Sequence, residues 1–189
     1  MDKAKGISRK LLKHARLKNI AVTVYHGEHR GPYGFCALAD KNHRTVDIYR
    51  FDMRTLEENC FLLAHELGHH EDWDKNGCSV TFQVASRRYN SKDEDITPEQ
   101  AAEVADTEWR AWNYGRVMLT RAGAELDTMV RFATFRDECM LNYEEGISDA
   151  ERKFKRNVPR EGIPREEGIT TACRGLGNKA VRLLRRVLW

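Results

Sequence analysis

Residues 65–69 of this chain read His-Glu-Leu-Gly-His, and they fall within a segment whose apolar residues recur at helical spacing. That spacing predicts a helix with one buried side. The recurring residues are Leu56, Cys60, Leu63 and Leu67. Thr55 and Glu58 have the spacing of a capping box, and Asn76-Gly77 provides a helix stop. The sequence therefore predicts a single helix over about 55–76 that carries both histidines.

Two histidines at positions i and i+4 lie on the same face of a helix, one turn apart, so they can bind one metal ion together. Glu66 is offset from His65 by about 100° around the helix axis. It projects beside the ion, where a carboxylate can take a proton from metal-bound water. Gly68 has no side chain, which permits a neighbouring segment to approach closely. The pattern therefore predicts a metal site with His65 and His69 as ligands and Glu66 as catalytic base.

A catalytic zinc site takes three protein ligands and keeps one position open for water. The third ligand must come from another segment, and Glu108 is our first choice because it lies in the middle of a predicted helix. Glu103 and Asp106 are alternatives on the same helix, since E-x-x-D can place a ligand and a supporting carboxylate together. Asp74 is discounted as a ligand because it lies on the face of the 55–76 helix opposite to His65. The predicted cofactor is Zn²⁺.

The remaining segments predict an α+β fold in which a small antiparallel or mixed sheet packs on the helix that carries the histidines. Three runs have strand-like composition and spacing, and we interpret them as an antiparallel meander: residues 20–26, 33–40 (after Gly31-Pro32) and 44–51. Helices are predicted at about 7–18, 98–121 and 126–143, and a short basic helix at the C-terminus. Residues 78–90 are interpreted as a short strand or an irregular excursion, and 150–170 as a linker.

Composition restricts the class of protein. With 41% hydrophobic and 32% charged residues in 189, the chain can form a core and is not wholly disordered. No uncharged run approaches the roughly 20 residues that span a bilayer, and the basic N-terminus lacks the apolar core of a signal peptide. Five cysteines at wide, irregular spacing predict free thiols. We therefore expect a cytoplasmic protein without a transmembrane segment.

The net charge of +3 hides an uneven distribution. Residues 1–18 carry +6 and residues 150–189 carry +7, which leaves −10 on the part between them. An acidic body with basic ends is unlike a compact nucleic-acid-binding domain. The basic ends are nevertheless candidates for contact with nucleic acid, an anionic membrane surface or an acidic partner. A solvated helix face that balances the acidic body is the simpler interpretation.

Taken together, a strand region, a helix bearing HELGH and a later helix with E-x-x-A (Glu108 to Ala111) resemble the ImmA/IrrE-type metallopeptidases, a family common in bacteria, prophages and mobile elements. The resemblance covers about residues 20–145. It implies a zincin-like core with His65, His69 and Glu108 as zinc ligands and Glu66 as base. It also implies a protein substrate, such as a transcriptional repressor cleaved at one exposed site. We accordingly predict a basic N-terminal helix (1–19), a catalytic domain (20–145) and a charged linker with a basic C-terminal helix (146–189).

The sequence also offers candidates for two further parts of such a mechanism, the donor that stabilises the oxyanion and the strand that binds the substrate. Donors for the oxyanion are available in Tyr114, His70, Tyr143 and several arginines. The strand Thr45 to Arg50 is the candidate for binding an extended substrate along its edge. Two other functions stay open from the sequence. One is a zinc-containing regulator or nucleic-acid-binding module without proteolytic activity, and the other is a hydrolase that acts on a bond other than a peptide.

Overall fold

The computed structural model describes residues 3–27, 37–49, 51–79 and 96–157. Within these ranges the fold is α+β, as predicted, with four α-helices and one three-stranded sheet. The helices are α1 (Lys3–Leu17), α2 (Leu56–Asn76), α3 (Pro98–Ala122) and α4 (Leu126–Asn157), and the strands are β1 (Ala21–Val24), β2 (Ala37–Asp40) and β3 (Thr45–Ile48). A short 3-10 turn, Phe51–Met53, lies between β3 and α2.

The sheet is mixed, and its strand order is β1-β3-β2. β1 pairs with β3 in parallel, with Val22 opposite Val46, whereas β2 pairs with β3 in the antiparallel direction, with Ala39 opposite Val46. The prediction of a simple antiparallel meander is therefore wrong. β3 takes the central position because its side chains Val46 and Ile48 are fully buried, whereas β1 is mostly exposed and lies at an edge.

Helix α1 packs into the same core as α2 and α3. Its buried residues are Ile7, Leu11 and Ala15, at the spacing that the sequence predicted. Leu12, the neighbour of Leu11, lies outside this buried face and is 41% exposed. The Lys10 ammonium donates a hydrogen bond to the carbonyl oxygen of Ala122, the last residue of α3, where the helix dipole favours a positive charge.

Helices α2 and α3 begin and end where their capping residues predict. In α2 the hydroxyl of Thr55 accepts a bond from the Glu58 amide, and the Glu58 carboxylate accepts one from the Thr55 amide. Thr97 and Gln100 form the same reciprocal arrangement at the start of α3, which has Pro98 at its first position. These bonds satisfy backbone donors that would otherwise lack a partner in the first turn.

Helix α4 is longer than predicted. It continues to Asn157, although the sequence analysis ended it near residue 143 and placed a linker from residue 150. Residues 144–157 are rich in Glu, Lys and Arg, which favour helix, and Gly146 costs only about 1 kcal/mol. The stretch contains no proline, and the next proline along the chain, which a helix interior does not accommodate, is Pro159. Charge density alone is thus a poor indicator of a linker.

Several predictions fall outside the described residues and stay predictions. They are the turn at Gly31-Pro32, the end of the third strand at Arg50, the assignment of residues 80–95, the part of the linker after Asn157 and the C-terminal helix.

Candidate metal centre

The two histidines and the glutamate of the motif lie on the buried side of α2. His65, Glu66 and His69 are each about 5 to 6% exposed. Ligand atoms of these three side chains lie within 4.8 Å of one another, so the group could hold a metal ion. Polar side chains are rarely buried this deeply unless they are paired or bind an ion.

The contact between α2 and α3 brings Glu108 to this group. A Cβ atom on Gly68 would overlap the backbone carbonyl of Ala111, and one on Gly115 would lie 2.9 Å from the carbonyl oxygen of Ala64. The two helices therefore touch backbone to backbone at two points, where side chains would hold them apart. The close approach expected from Gly68 is confirmed. Glu108 lies one turn before Ala111, on the face that meets α2.

The carboxylate of Glu108 lies between the two imidazoles. Its Oε2 atom is 3.1 Å from Nε2 of His65 and 3.5 Å from Nε2 of His69. Glu66 is farther away, with its Oε1 atom 4.0 Å from Nε2 of His65. Two imidazole nitrogens and the carboxylate oxygen of Glu108 thus lie close together, and the carboxylate of Glu66 lies to one side of them.

These distances fit a shared ion. Zinc binds histidine nitrogen and carboxylate oxygen at about 2.0–2.2 Å, so two ligand atoms at a tetrahedral angle are about 3.4 Å apart. The separations between Glu108 and the histidines, 3.1 and 3.5 Å, bracket that value. The donor set, two imidazoles and one carboxylate, is one that catalytic zinc sites use. Because Glu108 is nearer to the imidazole nitrogens than Glu66 is, it fits the third position better.

The surroundings move the pKa values of the two carboxyl groups in opposite directions. Burial raises the pKa of Glu66, and attraction to His65 and His69 offsets this only in part. Burial alone would also raise the pKa of Glu108, but the charge of His69 and hydrogen bonds from both histidines hold it well below its usual range. For His69, burial favours the neutral ring, but attraction to Glu108 raises the pKa. Two carboxyl groups whose pKa values diverge are suited to different roles.

Strand β2 contacts the side of the site where Glu66 lies. The backbone amide of Ala39 in β2 lowers the pKa of Glu66, so this strand lies beside the carboxylate. β3 occupies the centre of the sheet and is paired on both sides, with β1 and with β2. The prediction that Thr45 to Arg50 lends its edge to a substrate is therefore wrong for the described part of that strand. Among the described strands, β2 is the edge strand that contacts the site.

Two tryptophans pack against the histidines, and the sequence analysis did not assign them this role. Trp112 stacks on His65, with ring centroids 4.0 Å apart, and Trp73 stacks on His69 at 5.4 Å. Each tryptophan follows a proposed ligand by four residues: Trp112 follows Glu108, and Trp73 follows His69. The i, i+4 spacing between each ligand and its tryptophan is the sequence signal that could have predicted these contacts. Trp112 also belongs to the hydrophobic core.

The other acidic candidates lie elsewhere. Glu103 accepts a hydrogen bond from the hydroxyl of Ser79, and Asp106 pairs with Arg110. Asp74, which the sequence analysis discounted, pairs with Arg44 at 3.0 Å. Of the acidic side chains considered as third ligand, the structure brings Glu108 to the histidines.

The three named candidates for an oxyanion donor also differ in position. His70 is buried, and its Nε2 atom lies 3.1 Å from the carbonyl oxygen of Thr45 in β3. The ring of Tyr114 lies under the ammonium of Lys75. Tyr143 packs against the cluster of Trp73 and Val104, and Ala39 packs against the same cluster. His70 also contacts Trp73, with ring centroids 5.1 Å apart, and Tyr114 packs against the main core as Ala39 does, so packing alone does not single out one of the three.

Comparisons of the chain with models of protein families, with curated proteins and with solved structures give no match. Among the described residues, no helix has the length and apolar character needed to cross a membrane. Function is accordingly inferred from the geometry of the site.

Proposed function

We propose that the protein is a zinc-dependent metallopeptidase with a zincin-like catalytic domain of the kind found in the ImmA/IrrE-type enzymes. One observation carries the proposal: the Glu108 carboxylate lies 3.1 and 3.5 Å from the ring nitrogens of His65 and His69, with Glu66 beside them. The HELGH motif is thereby joined to a third donor from another helix, and all four side chains are buried.

In this proposal His65, His69 and Glu108 would hold the zinc ion. A bound zinc ion supplies a Lewis acid that polarises a carbonyl group and lowers the pKa of a bound water molecule. Glu108 would contribute a carboxylate oxygen as the third ligand, since its Oε2 atom lies close to both imidazole nitrogens. Trp112 and Trp73 cover one face of each imidazole and keep the ring orientations fixed.

Glu66 moves the proton. Its carboxylate takes a proton from the attacking water and delivers it to the amine that leaves when the peptide bond breaks. Burial raises the pKa of this group, which makes the carboxylate a stronger base. The amide of Ala39 in β2 lies beside this carboxylate and favours its charged form.

The substrate is proposed to be a protein that binds in extended form. β2 is the strand whose backbone contacts Glu66, so an extended peptide along its outer edge would pass the base and the ligands. His70, Tyr114 and Tyr143 stay the candidates for the oxyanion donor. The resemblance further suggests a repressor as the substrate and the cytoplasm as the location.

The test separates metal binding from proteolysis. Zinc content is measured on purified wild-type protein and on Glu66→Gln, and cleavage of a proteome-derived peptide library is followed by mass spectrometry. We expect about one zinc per chain in both proteins and cleavage by wild type only. Glu71→Gln is the matched control, because Glu71 lies on the same helix and pairs with Lys18. Full cleavage by Glu66→Gln would overturn the mechanism.

A regulator or nucleic-acid-binding module without proteolytic activity is the second candidate. Helix α1 favours it, because Lys5, Arg9, Lys13 and Arg16 are exposed and follow one another at i+4, i+4 and i+3 along one face. Charge reversal at these four positions tests it better than a deletion, since Ile7 and Leu11 of the same helix belong to the core. Salt-sensitive binding to duplex DNA that the reversal abolishes would support this candidate.

A further inference from the structure

A polar cluster connects α2 to α3 beside the proposed metal centre. Asp72 of α2 is completely buried. Its two carboxylate oxygens accept hydrogen bonds from Nε of Arg110 in α3, at 3.1 and 3.2 Å, and Oδ1 accepts another from the Asn76 amide at 2.8 Å. Arg110 also donates to the hydroxyl of Thr107 at 3.0 Å and pairs with Asp106. The cluster thus joins both helices through a directional ion pair.

The cluster lies within one helical turn of ligands on both helices. Asp72 follows His69 by three residues, and Arg110 follows Glu108 by two. Trp73, the neighbour of Asp72, stacks on the ring of His69. A shift of α3 along α2 that moved Glu108 away from the histidines would therefore also pull Arg110 away from Asp72.

We propose that Asp72 and Arg110 are positioning residues that fix the register of α3 on α2 and so hold the Glu108 carboxylate at His65 and His69. The inference rests on the proposed function, because it requires that these three residues bind a metal. The contact at Gly68 and Ala111 limits how closely the helices approach, but repulsion at short range does not prevent sliding. The directional ion pair of buried Asp72 with partly exposed Arg110 supplies that restraint. A functional site needs its groups held within about 0.5 Å of the productive geometry.

General stabilisation is the competing explanation for the same ion pair. Buried ion pairs often add little net stability, because removing two charges from water offsets their attraction. A purely stabilising pair would change the melting temperature of the metal-free protein without changing its intrinsic affinity for zinc. A positioning pair changes the affinity and the coordination of the bound ion as well. The two explanations therefore predict different measurements.

The experiment uses full-length, metal-free protein and compares Asp72→Asn, Arg110→Gln and Arg110→Lys. Zinc affinity is measured by competition with a chromophoric chelator, and the visible absorption of the Co²⁺-substituted protein reports the coordination geometry. Melting of the metal-free protein is recorded in parallel. Arg131→Gln is the matched control, because Arg131 of α4 also pairs across helices, with Glu57 of α2 at 2.7 Å, at the end of α2 away from the histidines.

We expect Asp72→Asn and Arg110→Gln to bind zinc about 10- to 100-fold more weakly and to alter the Co²⁺ absorption. Arg110→Lys should lie between them and wild type, because an ammonium keeps the charge but cannot reproduce the guanidinium geometry. Arg131→Gln should stay within about twofold of wild type. If Asp72→Asn does not fold, the two variants of the partly exposed Arg110 decide the question.

Wild-type zinc affinity and an unchanged Co²⁺ spectrum in both Asp72→Asn and Arg110→Gln would overturn the inference and leave the proposed function intact. Failure of wild-type protein to bind zinc would overturn the proposed function itself, and the positioning role with it.

Discussion

Trp112 lies almost flat against the imidazole of His65, with ring centroids 4.0 Å apart and an angle of 28° between the planes. The tryptophan is on α3 and the histidine on α2, so the stack is also a contact between helices. Glu108 is four residues before Trp112 on the same face. One face of α3 therefore supplies both a proposed ligand and the surface that orients the ring of another.

Replacing Trp112 should weaken zinc binding as well as the fold. Trp112→Leu removes the stack and leaves a cavity, and we expect it to lower the free energy of unfolding by about 2–4 kcal/mol. Zinc affinity should fall by about tenfold because the His65 ring loses its support. Trp112→Phe keeps an aromatic ring at this position and serves as the control, with an affinity near that of wild type. Equal zinc affinity in Trp112→Leu and wild type would contradict the role of the stack.

A methyl group at Gly68 should separate the two ligand-bearing helices. Gly68→Ala places a Cβ where the Ala111 carbonyl lies, so α3 must move, and we expect a loss of about 3 kcal/mol or more together with loss of zinc binding. Gly6→Ala in α1 is the control, because no atom lies within 4 Å of the added Cβ. It should stabilise the protein by up to about 1 kcal/mol. Urea unfolding measures both, and a neutral Gly68→Ala would count against the observed helix contact.

The two candidate glutamates of α3 should behave differently. Glu108→Gln removes a charged donor at the histidines and should lower zinc affinity by at least about 100-fold. Glu103→Gln affects a side chain that bonds to Ser79, so its zinc affinity should match that of wild type. Metal content after dialysis against a weak chelator distinguishes them. Retained zinc in Glu108→Gln would move the third ligand to another residue.

Removal of the metal should destabilise the wild-type protein. A ligand at about 100 times its dissociation constant stabilises the folded state by about 2.7 kcal/mol, so EDTA should lower the melting temperature and added zinc should restore it. His65→Ala is the control in which zinc should produce no shift. The same melting temperature with EDTA and with zinc in wild type would argue against a folded-state metal site.

The ion pair of Glu57 and Arg131 should make stability depend on pH. Hydrogen bonds from Arg131 and Thr128 hold the pKa of Glu57 below its ordinary value of 4.5. A lowered folded-state pKa gives stability that is present above pH 4.5 and is lost as the pH falls below it. Glu57→Gln should therefore cost about 0.5–1 kcal/mol near pH 7 and almost nothing near pH 3. Urea unfolding at both pH values tests this, and a cost that does not change with pH would exclude the ionic contribution.

Local signals in the sequence were sufficient for the helices that carry the site. The starts of α2 and α3 follow from capping residues close in sequence, and the placement of both histidines on one buried face follows from helical periodicity. Glu108 was a choice among three acidic residues on one predicted helix. Its selection depends on which face of α3 meets α2, and small residues, Ala111 and Gly115, mark that face.

The sheet could not be predicted to the same degree, because strand pairing joins residues that are distant in sequence. β1 and β3 are parallel neighbours, and residues 37–40 pair on the far side of β3, an order that neither periodicity nor turn residues encode. The pairing of Asp72 with Arg110 was missed for a similar reason, since its partners lie 38 residues apart on different helices.

Because α2 and α3 are in direct backbone contact, the chain that connects them does not set the distance between the ligands. His69 and Glu108 are 39 residues apart in sequence, yet their side chains meet where the two helices come into backbone contact at Gly68 and Ala111. The length of the connection affects only the entropy of closing the loop, and doubling it costs about 0.6 kcal/mol. A sequence pattern for a site of this kind should therefore specify the small residues of the two helices, H-E-x-G-H on one and E-x-x-A on the other. It should not specify the number of residues between the two motifs.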